Sequence, residues 1–141
     1  MGSRRKGREF ALQLLFQEDV AQTPPEEIRR LFWASNQTDE ETRGFAELLF
    51  HKFLESQLQV DQLIRRHARN WSLERMAAVD RNILRMAASE LLFTETPAAV
   101  VIDEAIDIAR KYSGEDSPDF VNGVLDAVKE ELQHQAPAGP S

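Results

Sequence analysis

The chain has no cysteine, which excludes disulfides and thiolate metal sites. Histidine is also scarce: His51, His67 and His134 lie far apart, without the His-x-x-x-His or His-Glu spacing of a zinc site. No Gly-x-Gly-x-x-Gly, phosphate-binding loop or Gly-x-Ser-x-Gly nucleophile turn is present, so the common enzyme and cofactor signatures are missing. No apolar run approaches the length needed to span a bilayer. Glu9, Gln13, Gln17, Glu18 and Asp19 interrupt the N-terminal region where a secretory signal would need an apolar stretch. Alternating strand patterns, internal repeats and low-complexity tracts are lacking too. These absences predict a cytoplasmic, all-α protein that is not an enzyme and needs no metal or cofactor.

What is present begins with length and charge. At 141 residues the chain fits one domain, with room for two subdomains dividing near residue 71. Its net charge of −7 argues against indiscriminate nucleic-acid binding, but that charge is unevenly placed. Arg4, Arg5, Lys6 and Arg8 occupy the first eight residues with no acid among them, leaving 13 basic and 24 acidic side chains elsewhere. Cations at or just before a helix start are disfavoured by the helix dipole, by a few tenths of a kcal/mol each. The arm therefore reads either as an anion site, since arginine grips phosphate through paired planar donors, or as a solubilising or cloning-derived terminus.

Three-and-four spacing marks every long segment as helix. Phe10, Ala11, Leu14 and Leu15 form a stripe, widened by Leu12 and Phe16, that ends near Val20. Thr23-Pro24-Pro25-Glu26 and Thr38-Asp39-Glu40-Glu41 read as capping boxes, the first opening a short helix through Ile28, Leu31 and Phe32. The second opens a long pattern through Phe45, Leu48, Leu49 and Phe53 to Leu63 and Ile64, broken once around Gln57 to Asp61. Beyond Trp71-Ser72, apolar residues from Met76 to Leu92 surround a helix on nearly every side, as a central helix requires. Thr96-Pro97 opens another helix, which ends at Tyr112-Ser113-Gly114 with glycine as its C-cap. Ser117 and Pro118 then read as N-cap and first residue of a last helix reaching about Gln133, followed by a Pro/Gly-rich tail over 136–141.

Two features pull in opposite directions. Asn122-Gly123 is a turn signal, yet Val121, Val124, Leu125, Val128 and Leu132 keep helical spacing around it. A glycine inside that helix costs about 1 kcal/mol relative to alanine, which suggests a closely packed neighbour at Gly123. Glu90 and Glu104, in otherwise apolar stretches, read either as acids with raised pKa or as structural partners of arginines such as Arg85 or Arg81. Lacking a histidine to complete a catalytic set, the structural role is the expectation.

Arg4-Arg5-Lys6-Gly7-Arg8-Glu9-Phe10-Ala11-Leu12-Gln13, Val79-Asp80-Arg81-Asn82-Ile83-Leu84-Arg85, Glu90-Leu91, Pro97, Val101-Ile102-Asp103-Glu104-Ala105 and Phe120-Val121-Asn122-Gly123-Val124-Leu125-Asp126 occur in this order. Together they resemble the NusB family of bacterial transcription antitermination factors over nearly the whole chain. The resemblance implies a single domain over residues 1–135, with about seven helices in two small bundles packed side by side. It implies binding to the boxA element of ribosomal RNA leader transcripts together with NusE, also a small-subunit ribosomal protein. Terminator read-through and ribosomal RNA synthesis would follow, with other Nus factors and RNA polymerase as indirect partners and a homodimer as an alternative state.

By motif, the resemblance places RNA on Arg4, Arg5, Lys6, Arg8, Phe16, Asp116, Ser117 and Phe120, and NusE on Phe16 and Asp80. Glu90 and Glu104 become internal framework. Departures are Phe16 where tyrosine is frequent, Asp119 in place of a basic residue, and Asp103 in place of asparagine; the added acid predicts weak RNA binding without the partner. Two rival readings remain. One is the NusB-like domain of an RNA cytosine methyltransferase, whose nucleophilic cysteines this chain lacks, so that reading requires a longer protein. The other is a helical protein–protein adaptor with no RNA role.

Overall fold

The computed structural model describes residues 3–135, and over them the chain is helical with no strand. Seven α-helices follow one another: α1 (Ser3–Ala21), α2 (Pro25–Ser35), α3 (Glu40–Glu55), α4 (Gln57–His67), α5 (Ala78–Phe93), α6 (Ala98–Tyr112) and α7 (Ser117–Gln135). A single 3-10 turn, Leu73–Arg75, precedes α5. The tail expected over 136–141 lies outside the described residues.

Helix α5 is the axis of the molecule. Every residue from Asn82 to Glu90 is buried, and α1, α3, α4, α6 and α7 all pack against it. Only a sequence apolar on nearly all sides tolerates that position. Arg8 of α1 meets Glu90 near the end of α5, whereas Asp19 meets Arg81 and Asn82 near its start, so the two helices run antiparallel. Arg5 meets Glu104 and Glu9 meets Tyr112, so α1 and α6 run parallel. Beside α1, Phe10, Phe32 and Trp33 meet edge to face at centroid distances of 4.9–5.5 Å. That cluster ties the short α2 to the core.

Helix ends correct several local expectations. Thr23 makes no cap bond; α2 starts behind Pro24, with Pro25 as its first residue. Asp39 rather than Thr38 caps α3, accepting from the Thr42 N–H at 3.1 Å. Pro97 itself stands at the N-cap of α6, so the helix starts one residue later than Thr96-Pro97 suggested. The C-cap of α6 is Ser113 in extended backbone; Gly114 does not take the left-handed conformation expected of a glycine cap. Ser117 already belongs to α7, and its hydroxyl turns to Asp80 and Ser113 instead of its own helix. The break expected around Gln57 to Asp61 falls earlier, at the single residue Ser56, which closes α3 with its N–H and opens α4 with its carbonyl, so Gln57 to Asp61 are already helical.

Gly123 is not a point of close approach: a Cβ placed there would meet nothing within 4 Å. The tight glycine is Gly7, where a Cβ would lie 3.0 Å from Phe45 Cδ2 and 3.2 Å from the Thr42 carbonyl oxygen. Glycine at this position lets α1 lie directly on α3.

Helices α4 and α7 are joined by Glu131. Its carboxylate accepts from Arg66 and approaches His67 Nε2 at 2.6 Å. The Arg66 hydrogen bond, helped by His67 and opposed by burial, holds its pKa down to about 2. A carboxylate depressed on folding stabilises above its ordinary pKa, and that contribution is lost as pH falls from about 4.5 towards 2. Urea titrations of Glu131→Gln are expected to show lower stability at pH 7 and a smaller decline across that acid window than wild type.

Candidate nucleic-acid interface

The basic arm is the first two turns of α1. Ser3 Oγ donates to Glu41 at 2.7 Å, while Arg4 lies over the Phe45 ring, 4.3 Å from its centroid. Arg5 reaches across to α6: Nε and Nη2 donate to Glu104 at 3.1 and 2.6 Å, and Nη2 also donates to Asp107 at 2.8 Å. These bonds raise the pKa of Arg5, and the Arg5 hydrogen bond lowers that of Glu104 against the effect of burial. Lys6 is exposed over Phe10, its Nζ 4.0 Å from Glu9.

Arg8 differs from the others. It is 4% exposed, and it grips Glu90 with Nε at 2.8 Å and Nη2 at 2.6 Å, with Glu104 3.4 Å from Nη1. The buried acid Glu90 thus has Arg8 as its partner, and not Arg85 or Arg81 as its own helix suggested. Arg85 instead holds the buried Asp61, and Arg81 holds Asp19. Both Glu90 and Glu104 are internal framework in this arrangement. A cleft of about 790 Å³ opens beside the arm, bordered by Arg4, Arg5, Phe93, Pro97 and Val100.

From the arm a continuous face follows α1 and α6 to the opposite end of α5. Glu9, buried, accepts from Lys111 at 3.1 Å and Tyr112 at 3.2 Å. Burial first, and then the Glu9 charge, raises the Tyr112 pKa. Partly buried Phe16 lines a cleft of about 220 Å³ with Leu12, Val79 and Tyr112. Next comes Asp80, which accepts from both Ser113 and Ser117 and so fastens the α6–α7 junction to α5.

Asp116, Ser117 and Phe120 lie beyond it around a cleft of about 250 Å³ that also includes Asp80, Trp71 and Arg75. The proposed site residues therefore fall into two groups. Arg4, Arg5, Lys6 and Arg8 cluster at the arm, Asp80, Asp116, Ser117 and Phe120 cluster at the far end, and Phe16 lies between. Trp71 and Arg75 were not singled out in sequence, where Trp71 reads only as punctuation between helices. Its signal was available: a tryptophan in a polar stretch, Arg69-Asn70-Trp71-Ser72, has no apolar face to join.

An all-helical protein with an ordered basic helix end, and no three metal-ligating side chains together among its described residues, is the class defined by this fold and surface. The NusB family model matches residues 5–130. The transcription antitermination protein NusB of Koribacter versatilis (strain Ellin345) is 49% identical over 133 residues, covering 93% of this chain and 91% of that protein. The corresponding protein of Solibacter usitatus (strain Ellin6076) is 47% identical over 134 residues, covering 94% and 92%. Among solved structures, T. maritima NusB matches with a TM-score of 0.83 at 38% identity, covering 91% of each chain. A chain from a crystal structure of antitermination factors NusB and NusE in complex with dsRNA matches with a TM-score of 0.84 at 28% identity, covering 93% and 98%. The chain belongs to the NusB family.

Proposed function

We propose that this protein is an RNA-binding transcription antitermination factor that engages the boxA element of ribosomal RNA leader transcripts together with a NusE-type ribosomal protein. It works in the cytoplasm without catalysing a reaction, and promotes terminator read-through and ribosomal RNA synthesis. The observation that carries this reading is the arm, a basic helix end that leaves Arg4 and Lys6 exposed on an acidic protein. The relatives' names, and the solved complex of NusB and NusE with RNA, supply the ligand and partner.

Within this reading the arm residues divide their work. Arg4 and Lys6 face solvent and meet phosphate. Arg5 is shared between RNA and the α6 carboxylates, and Arg8 supports the helix from beneath. Asp116, Ser117 and Phe120 continue the RNA surface, while Phe16 and Asp80 face the partner. The division near residue 71 separates a half bearing the arm from a half bearing the second cluster.

Titration with boxA RNA, with and without NusE, tests this. Neutralising about three single-strand phosphates gives a slope near −2 for log K against log salt concentration. Arg4→Ala/Lys6→Ala is expected to weaken binding roughly tenfold or more and to flatten that slope. A folded variant with unchanged affinity and slope would remove the arm from the RNA site. An absence of boxA preference, with or without the partner, would leave a helical adaptor.

A further inference from the structure

We infer that Trp71, with Phe120 beside it and Arg75 on the same cleft, adds to the RNA surface a stacking platform that takes a single unstacked base. The inference rests on the RNA-binding reading and deepens it, joining Trp71, Arg69 and Arg75, which that reading does not use, to Phe120, which it does. Trp71 is 59% exposed, the most exposed aromatic side chain among the large hydrophobics, whereas Trp33 is buried and donates to Glu47. Its ring stands 5.5 Å from that of Phe120 at 64°, and most of the side chain remains exposed. The cleft beside the pair, about 250 Å³, is smaller than the roughly 300–1,000 Å³ of drug-sized ligand sites. It suits one ring system better than a helix or strand of a protein partner.

Charge selects the occupant. Among the described residues, 13 of the 17 lysines and arginines lie within 4.0 Å of a carboxylate. The four without such a partner are Arg4, Arg43, Arg69 and Arg75. Arg4 belongs to the arm, while Arg69 and Arg75 bracket Trp71 in the segment between α4 and α5, both exposed. An aromatic stacking face in a segment that carries two guanidiniums without carboxylate partners, Arg75 of them on the cleft itself, matches a base and a flanking phosphate. Of the two acids on the cleft, Asp116 and Asp80, the second is already engaged by Ser113 and Ser117. The 16 residues of α5 separate this cleft from the arm by about 24 Å. A strand long enough to span that distance engages both sites, whereas a shorter one engages only the arm.

The test uses boxA-containing RNAs of two lengths, the longer spanning about 24 Å beyond the arm, with NusE present. Trp71→Ala and Arg69→Ala/Arg75→Ala are each expected to weaken the longer RNA by about tenfold and leave the shorter unchanged. Trp71→Phe should retain affinity but lose the fluorescence quenching that binding of the longer RNA causes, because the remaining Trp33 is buried. Circular dichroism and thermal melts confirm that each variant is folded; exposed Trp71 and its arginines add little to the core. Equal affinity of wild type and Trp71→Ala for the longer RNA, with Arg4→Ala still impaired, overturns this inference and leaves the arm reading intact. Weakened NusE binding by Trp71→Ala in the absence of RNA, with RNA affinity unchanged, overturns it in favour of a protein contact. Failure of wild type to bind either RNA, with or without NusE, overturns both readings.

Discussion

Arg8→Ala is expected to cost about 3–5 kcal/mol of folding stability, the usual penalty for leaving one half of a buried ion pair without its partner. Glu90 is 1% exposed, and both of its oxygens are bonded to Arg8, at 2.8 and 2.6 Å. Removing the guanidinium strands a carboxylate in the centre of the molecule, where it must take up a proton or draw in water. Chemical denaturation at pH 7 measures the loss. The double replacement Arg8→Met/Glu90→Leu removes both charges and should recover most of it, because apolar pairs often match buried ion pairs in stability. RNA binding by this double variant separates support from contact. If Arg8 supports the helix, the refolded variant binds boxA RNA nearly as well as wild type; if Arg8 touches RNA, affinity stays low although stability returns.

Gly7→Val is the second large effect. A Cβ at this position already lies 3.0 Å from the Phe45 ring and 3.2 Å from a backbone carbonyl of α3, and a branched side chain adds two more carbons. The ring has little freedom, since Phe45 also carries Arg4 and Arg8 on its faces at 4.3 and 5.2 Å. Overpacking of this kind costs typically about 1–3 kcal/mol, and relief requires α1 to lift from α3. A thermal melt should show the loss, and RNA affinity should fall with it as Arg4 shifts from its position over Phe45. Gly123→Ala is the contrasting control: open space and an exposed helical position make it neutral or slightly stabilising.

That contrast shows what was legible in the sequence. Periodicity placed all seven helices, because burial on one face leaves a three-and-four pattern that few other structures produce. The same pattern put Asn122, Gly123 and Asp126 on the outer face of α7, where they are exposed. The cost of a glycine inside a helix drew attention to Gly123, but the close approach is at Gly7, where nothing in the neighbouring residues announces α3. Cap residues were harder to locate. Thr38 and Asp39 are adjacent acceptors, and only the position of Thr42 decides that Asp39 serves. Ser117 has a capping side chain, yet Asp80 offers it a better partner from another helix. Ion pairs were the least legible. With 17 cations and 24 anions, no local rule joins Arg8 to Glu90 or Arg5 to Glu104. The site divides the same way: its motif residues could be named, but their separation into two clusters, and the place of Trp71 in one of them, needed the fold.

The latches on the arm also fix an order of events during synthesis. Arg8 is 82 residues from Glu90, and Arg5 is 99 and 102 residues from Glu104 and Asp107. At roughly 5–20 residues per second, the ribosome releases the arm about 5–20 s before the carboxylates that hold it. Until α6 emerges, the basic helix end is an unfastened polycation beside the translating ribosome's own RNA. Completion of α6 supplies the carboxylates that fasten it, so the fixed geometry of the arm is a property of the finished chain and not of its beginning.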